Sequence, residues 1–294
     1  MAPASYVIVT PVRNEEANLP ATVVSVTSQT VRPSLWVLVD DGSTDGTPKV
    51  IEHARSQHGW IRSVTRPDRG FRKQGGGVVE AFYEGYRLVE NEAWDFLVKL
   101  DGDLSFPANY FEGCFERFAR DPRLGIGGGR VYHQINGAAV EDSPGDPAFH
   151  VRGATKIYRR AAWAAIGRLV PAPGWDTIDE LKANMLGWRT YSFRELRICQ
   201  LKPTGSADGS WKNWVKNGRA NYITGYHPLF MLLKCFKRAF ESPHGVAAGG
   251  LLVGFLAGYL KRLPQVPDPN LIRYLRRQQL NRLFGRESLW TSDH

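Results

Sequence analysis

Two aspartates one residue apart, Asp101 and Asp103, follow an apolar run (Phe96, Leu97, Val98) that ends in Lys99 and Leu100. Aspartates are rarely buried without a partner, and their oxygens suit hard cations such as Mg2+ and Mn2+, which also bind phosphate. Asp101-Gly102-Asp103 therefore reads either as a metal site for a phosphorylated substrate or as an ordinary turn, where Asp and Gly are the usual residues. A second acidic segment, Asp40-Asp41-Gly42-Ser43-Thr44-Asp45-Gly46-Thr47, closes the apolar run Val37-Leu38-Val39. Its carboxylates can accept hydrogen bonds from a base or ribose, while Ser43, Thr44 and Thr47 are either part of the site or simple caps. A third polar end is Thr10-Pro11-Val12-Arg13-Asn14-Glu15-Glu16. Between the last two motifs and Asp101 lies a basic, glycine-rich stretch from Arg66 to Gly77 that leads into a helical pattern. Arg69, Arg72 or Lys73 there either meets a diphosphate, beside backbone amides freed at a helix N-terminus, or stays solvated on a surface loop.

The residues need a scaffold that brings them together. Tyr6 to Thr10, Leu35 to Asp40, Ile61 to Thr65, Phe96 to Leu100 and Leu124 to Tyr132 read as strands, several of them continuous apolar runs expected of a sheet covered on both faces. Leu19 to Gln29, Pro48 to Gln57, Val78 to Asn91 and Tyr110 to Arg120 have helical spacing. This alternation predicts an α/β fold with a mostly parallel sheet, whose ligands bind beyond the carboxyl ends of the strands. Thr10-Pro11, Asp40-Asp41 and Asp101-Gly102-Asp103 all fall at such ends, on one rim. Gly137 to Pro147 reads as a mobile loop, and Arg159 to Gly167 and Asp179 to Gly187 as helices.

In this order and spacing the three motifs resemble the family 2 glycosyltransferases of GT-A fold, a resemblance that covers roughly residues 5 to 200. It implies a Rossmann-like catalytic domain that moves a sugar, with inversion, from a nucleoside diphosphate donor to a hydroxyl. It implies that Pro11, Arg13, Glu15, Asp40 and Asp41 hold the nucleoside, that Asp101 meets the ribose, and that Asp101 and Asp103 carry Mn2+ or Mg2+. The physics agrees, because the departing diphosphate gains negative charge that a divalent cation stabilises, so no lysine need act as leaving-group acid.

The resemblance also implies a carboxylate base near Gly174-Trp175-Asp176-Thr177-Ile178-Asp179-Glu180-Leu181. Asp179 aligns best with it and Asp176 is the reserve; Asp179 also reads as an N-cap or first-turn acid, and the two roles can coexist. Trp175 either stacks on a sugar or fills the core. Arg152 and Gly153 match the segment that lines the sugar subsite. One departure is Gln200, which stands where relatives often carry a metal-binding histidine; metal binding then rests on Asp103 and phosphate oxygens, with His227 as substitute ligand or structural residue. Two other readings stay open: a catalytically silent binding module tethered by a basic tail, and a nucleotidyltransferase.

The 294 residues are 43% hydrophobic and 23% charged, which is globular rather than disordered composition. No basic segment followed by an apolar one opens the chain, so a cytosolic protein is expected. Three scattered cysteines, Cys114, Cys199 and Cys235, favour buried thiols over a zinc site or a disulfide framework. The net charge of +9 is local: from Trp211 onward 13 Lys and Arg face 4 Asp and Glu, and the rest of the chain balances. The reading is a catalytic domain over 1–210 and a basic, amphipathic helical extension over 211–294.

In that extension Leu229, Leu232, Leu233, Phe236 and Phe240 recur at helical spacing, with Lys234, Lys237, Arg238 and Glu241 on the remaining face. Val246 to Leu260 carries no charge but is shorter than the ~20 residues of a spanning helix. Gly250, Gly254 and Gly258 permit close helix packing, in lipid or in protein. Leu271 to Phe284, with Arg273, Arg276, Arg277 and Arg282, would lie against anionic headgroups. These features point to peripheral or monotopic attachment to the inner face of the cell membrane and to a lipid-linked or growing glycan acceptor, with a soluble helix pair as the rival. Nucleic acid is disfavoured, since the charges adjoin aliphatic rather than interleaved stacking surfaces.

Overall fold

The computed structural model describes residues 4–71, 75–135, 137–202, 209–240 and 245–291. Arg72 and Lys73, expected near a diphosphate, lie outside the described residues.

Strands β1 (Tyr6–Val12), β2 (Leu35–Asp40), β3 (Ile61–Thr65) and β4 (Phe96–Leu100) pair in parallel in the order β3-β2-β1-β4. Strand periodicity sends alternate side chains to opposite faces. Tyr6, Ile8, Trp36, Leu38, Phe96 and Val98 pack under helices α1 (Leu19–Thr27), α2 (Thr47–Gln57) and α4 (Tyr110–Arg120). Val7, Val9, Val37, Val39 and Leu97 pack instead against α3 (Gly76–Tyr86) and α5 (Arg160–Ile166). Both faces are thus covered, which is why these strands are continuous apolar runs.

Beyond β4 the sheet is mixed, so the expectation of a mostly parallel sheet holds only for its first four strands. β8 (Thr155–Arg159) runs antiparallel to β4 and to β6 (Leu124–Ile135). β6 pairs in parallel with β9 (Arg189–Gln200), whose end meets β5 (Leu104–Ser105) antiparallel. The stretch read as a loop holds β7 (Ala138–Glu141), paired with β6. β8 and β9 escape a hydrophobicity reading because Lys156, Arg159, Arg194, Glu195 and Arg197 break their alternation.

Helix α6 (Trp175–Met185) starts earlier than expected, behind Gly174, whose φ of 84° sets the turn. Asp176 therefore occupies the first helical turn that had been assigned to Asp179. Asp179 lies further along the helix, on its buried side.

The extension forms α7 (Ser210–Thr224), α8 (Pro228–Ala239), α9 (Val246–Leu260) and α10 (Pro269–Leu283). Its apolar residues Tyr222, Met231, Leu251, Phe255 and Leu271 share one cluster with Ile178 and Leu181 of α6, which anchors it to the catalytic part. The glycine stripe of α9 is used against α7: a side chain at Gly254 would run into the Val215 carbonyl, and one at Gly258 into Tyr222. The stripe therefore serves packing within the protein. Among the described residues no helix is long and apolar enough to cross a membrane. Because the obstacle at Gly254 is backbone, Gly254→Val should destabilise the fold by about 1–3 kcal/mol. A lowered urea midpoint would register this, and an unchanged one would refute the packing role.

Candidate active site

The carboxyl ends of β1 and β2 are stitched together by short hydrogen bonds. The Asp41 amide donates to the Val12 carbonyl at 2.8 Å, and the Ser43 amide to Asp40 Oδ1 at 2.9 Å. Asn14 takes a left-handed conformation (φ 54°), which Asn tolerates, and its side-chain oxygen accepts from the Thr44 amide. Thr47 Oγ1 accepts from the Glu15 amide at 2.8 Å, so Ser43 and Thr47 brace the loop. Asp40 is a buried turn former. Asp41 is held by Arg66 (2.5 Å) and by Arg69, while Arg69 also reaches Glu80 at 3.2 Å. The structure thus commits Arg69 to two carboxylates rather than leaving it aimed at a diphosphate. Pro11 is paired into the sheet, and Arg13, pinned to Asp68 at 2.6 Å, borders the same rim.

The acidic pair comes next along the rim. β5 pairs Leu104 with Gln200, which places the Gln200 amide 3.1 Å from Asp103 Oδ2 as donor. Asp101 is tied through its amide to Ala154 (2.8 Å) and through its carboxylate to the buried Lys99, which also donates to the Gly153 carbonyl at 2.6 Å. Glu15 closes the group from β1 and pairs with Lys202 at 2.7 Å. Burial, with the Asp101 charge nearby, pushes Asp103 up to about 6. Burial also raises Asp101 against the opposing pull of Lys99, and Glu15 and Asp176 add to the rise. Carboxylates that repel one another are a fit environment for a cation. Among the described residues no three His, Cys, Asp or Glu side chains form a metal cage, so phosphate oxygens would have to complete the ligand shell. His227 has a structural part: its Nδ1 accepts from the Leu229 amide and caps α8, and the residue lines a cleft beside α10.

A second polar cluster lies beneath α6. Lys156, fully buried, reaches Asp179 Oδ1 (2.7 Å), Glu180 Oε1 (2.8 Å) and the Asp176 carbonyl. The second Asp179 oxygen accepts from the Tyr158 hydroxyl at 2.6 Å. Burial pushes Asp179 up to about 7, and the Glu180 charge adds to the rise against the pull of Lys156. Both Asp179 oxygens are occupied and the residue is 4% exposed, so it does not present a base to substrate. Asp176 is half-buried and keeps its carboxylate beside Gly153, where a side chain would come within 3.2 Å of it. Burial alone would raise Asp176, but His150, Lys156 and Arg152 outweigh it and hold the carboxyl below its usual range. Trp175 is buried in the core, with the Lys99 and Lys156 ammoniums each 5.5 Å from its ring centroid. Arg152 turns toward Asp142 (2.7 Å) and Ser143 (3.0 Å).

Lys99, His150, Lys156, Tyr158 and Glu180, which brace Asp101 and α6 from the interior, do not stand out by motif spacing. Charged residues inside apolar strand runs, as at Lys99 and Lys156, were the available signal. His150 Nδ1 lies 2.8 Å from Glu180. Burial lowers His150, but Glu180, with Asp146, more than offsets that and raises it from 6.5 to about 9. The folded state therefore binds the proton more tightly. The stability this pair contributes is complete below pH 6.5 and disappears as pH rises through about 9. Urea midpoints should fall over that window in the wild type and stay flat in His150→Gln; equal slopes would refute the assignment.

The family description Glycosyl transferase family 2 matches residues 7–161, more than half of the chain, and the protein belongs to that family. No curated protein matches the sequence significantly. Several solved structures share the fold. The mannosyltransferase PcManGT from Pyrobaculum calidifontis, solved with GDP-Man and Mn2+, is 14% identical with a TM-score of 0.55, over 97% of this chain and 88% of its own. S. aureus TarS 1-349 with UDP-GlcNAc is 15% identical with a TM-score of 0.54, over 92% and 79%. GalNAc-T7 with UDP, GalNAc and Mn2+ is 14% identical with a TM-score of 0.63, over 98% and 55%. The protein is a glycosyltransferase of GT-A fold.

Proposed function

We propose that this enzyme transfers a sugar, with inversion, from a nucleoside diphosphate donor to a hydroxyl of a lipid-linked or growing glycan acceptor. The observation that carries the reading is Asp176, a half-buried carboxylate with no side-chain hydrogen bond or ion pair among the described residues, within electrostatic reach of Asp101. Arg13, Glu15, Asp40 and Asp41 flank the nucleoside, and Gly153, whose missing side chain lets Asp176 come close, lines the sugar. Asp176, rather than Asp179, takes the proton from the acceptor hydroxyl as its oxygen attacks the anomeric carbon. The bond to the diphosphate breaks, and its electron pair leaves with the phosphate. A divalent ion on Asp103 and Asp101 would supply Lewis-acid stabilisation of that charge. Gln200 orients Asp103. Mn2+ beside nucleotides or nucleotide sugars in the related structures supports this assignment.

On this reading the enzyme sits peripherally on the inner face of the cell membrane. Supporting it, Leu229, Leu232, Leu233, Phe236 and Phe240 stand exposed along one face of α8, with Phe236 at 66% and Phe240 at 70%. Calorimetric titration with UDP, GDP and dTDP tests the donor site. One nucleotide should bind in Mn2+ and lose its affinity in EDTA and in Asp103→Asn. Turnover of a nucleoside triphosphate with release of pyrophosphate would favour a nucleotidyltransferase instead, and no binding of any nucleotide would favour a silent module.

A further inference from the structure

A cleft of ≈ 650 Å³ opens beside α10, lined by Arg273, Arg276, Arg277 and Arg286 with His227 and Phe284 at its wall. None of its lining residues is an Asp or Glu. Arg276 donates to the Gly225 carbonyl at 3.0 Å and Arg273 to Asn270 at 3.2 Å, and Arg277 and Arg286 lie over the rings of Tyr274 and Phe284. None of the four forms an ion pair among the described residues. Four guanidinium groups around one cavity repel one another, and an anion in the cavity relieves that repulsion. Guanidinium forks match phosphate oxygens in pairs, which makes phosphate the fitting anion.

The surroundings say what carries the phosphate. Phe284, at the rim, is 67% exposed. His227 caps α8, whose exposed Leu229 begins the apolar face that continues through Leu232, Leu233 and Phe236. A basic cavity adjoining an exposed apolar face is complementary to an anionic headgroup with its acyl chains beside it. We propose that this cleft binds the phosphate of an anionic phospholipid and so sets how the enzyme sits on the membrane. The inference rests on the membrane reading above, and the cleft supplies the lipid selectivity that an apolar face alone lacks.

The test is flotation of the full chain with vesicles of phosphatidylcholine alone and with added phosphatidylglycerol. Wild type should bind the anionic vesicles about tenfold or more tightly than the neutral ones, and Arg273→Gln/Arg277→Gln should lose most of that difference. Arg286→Gln, outside the helix, should lose part of it, which keeps the test valid if the double variant folds poorly. Nucleotide affinity should not change in either, since neither touches the catalytic rim. If wild type ignores both vesicles, the membrane reading fails; if it binds and the variants bind equally, only the cleft assignment fails. Glycerol phosphate that displaces the protein at millimolar concentration would assign the cleft to free phosphate esters and overturn the lipid.

Discussion

Asp176→Asn should lower kcat for sugar transfer by about a thousandfold, the usual scale for removing a general base, while the nucleotide still binds and the melting temperature falls only slightly, through the lost attraction of His150, Lys156 and Arg152. Asparagine keeps the shape of the side chain and its place in the first turn of α6 but cannot take the proton. Asp179→Asn should behave in the opposite way. Its oxygens accept from Lys156 and Tyr158, so the change weakens a buried ion pair and lowers stability, while the folded fraction keeps most of its kcat. Stopped assays and thermal melts on both variants separate the two roles. Asp176→Asn with near-normal kcat would remove the base assignment.

The largest effect on stability should come from Lys156→Met. The ammonium is fully buried and joins Asp179, Glu180 and the Asp176 carbonyl, so its removal leaves Asp179 with the neutral Tyr158 hydroxyl and Glu180 with His150 as their remaining side-chain partners in a dry interior. Breaking such a pair from one side costs about 3–5 kcal/mol, which for a chain of this size lowers the melting temperature on the order of 10 °C. Neutralising the carboxylates as well, in Lys156→Met/Asp179→Asn/Glu180→Gln, should recover much of the loss. Scanning calorimetry on the two variants decides the matter; equal melting temperatures for wild type and Lys156→Met would show that the cluster contributes no net stability.

The part of the fold that could be read from residue order is the part covered on both faces. β1, β2 and β4 are largely apolar because helices pack above and below them, and their polar ends announced the rim. β8 and β9 were hidden because they carry lysines and arginines that the tertiary structure buries or turns toward carbonyls, as Arg159 does with Leu124 and Phe118. The resemblance points to Asp179 as base with Asp176 in reserve, and alignment alone does not show that the left-handed Gly174 starts the helix earlier and turns Asp179 inward. Arg69 looked free in sequence and proves committed, since no spacing rule reveals that Asp41 lies beside it. The spacing of Gly250, Gly254 and Gly258 was legible, but its partner was not: α7, at the start of the basic extension, is the helix it packs against.

On the proposed reading the sugar leaves its nucleoside diphosphate in a single displacement. The most direct measurement gives the wild-type enzyme the sugar derivative of whichever nucleotide binds and reads the anomeric configuration of the product by proton NMR, together with the nucleotide released. Single displacement with Asp176 as base predicts nucleoside diphosphate and glycoside in equal amounts, with the anomeric configuration opposite to that of the donor. Retained configuration, or pyrophosphate in place of nucleoside diphosphate, would contradict it.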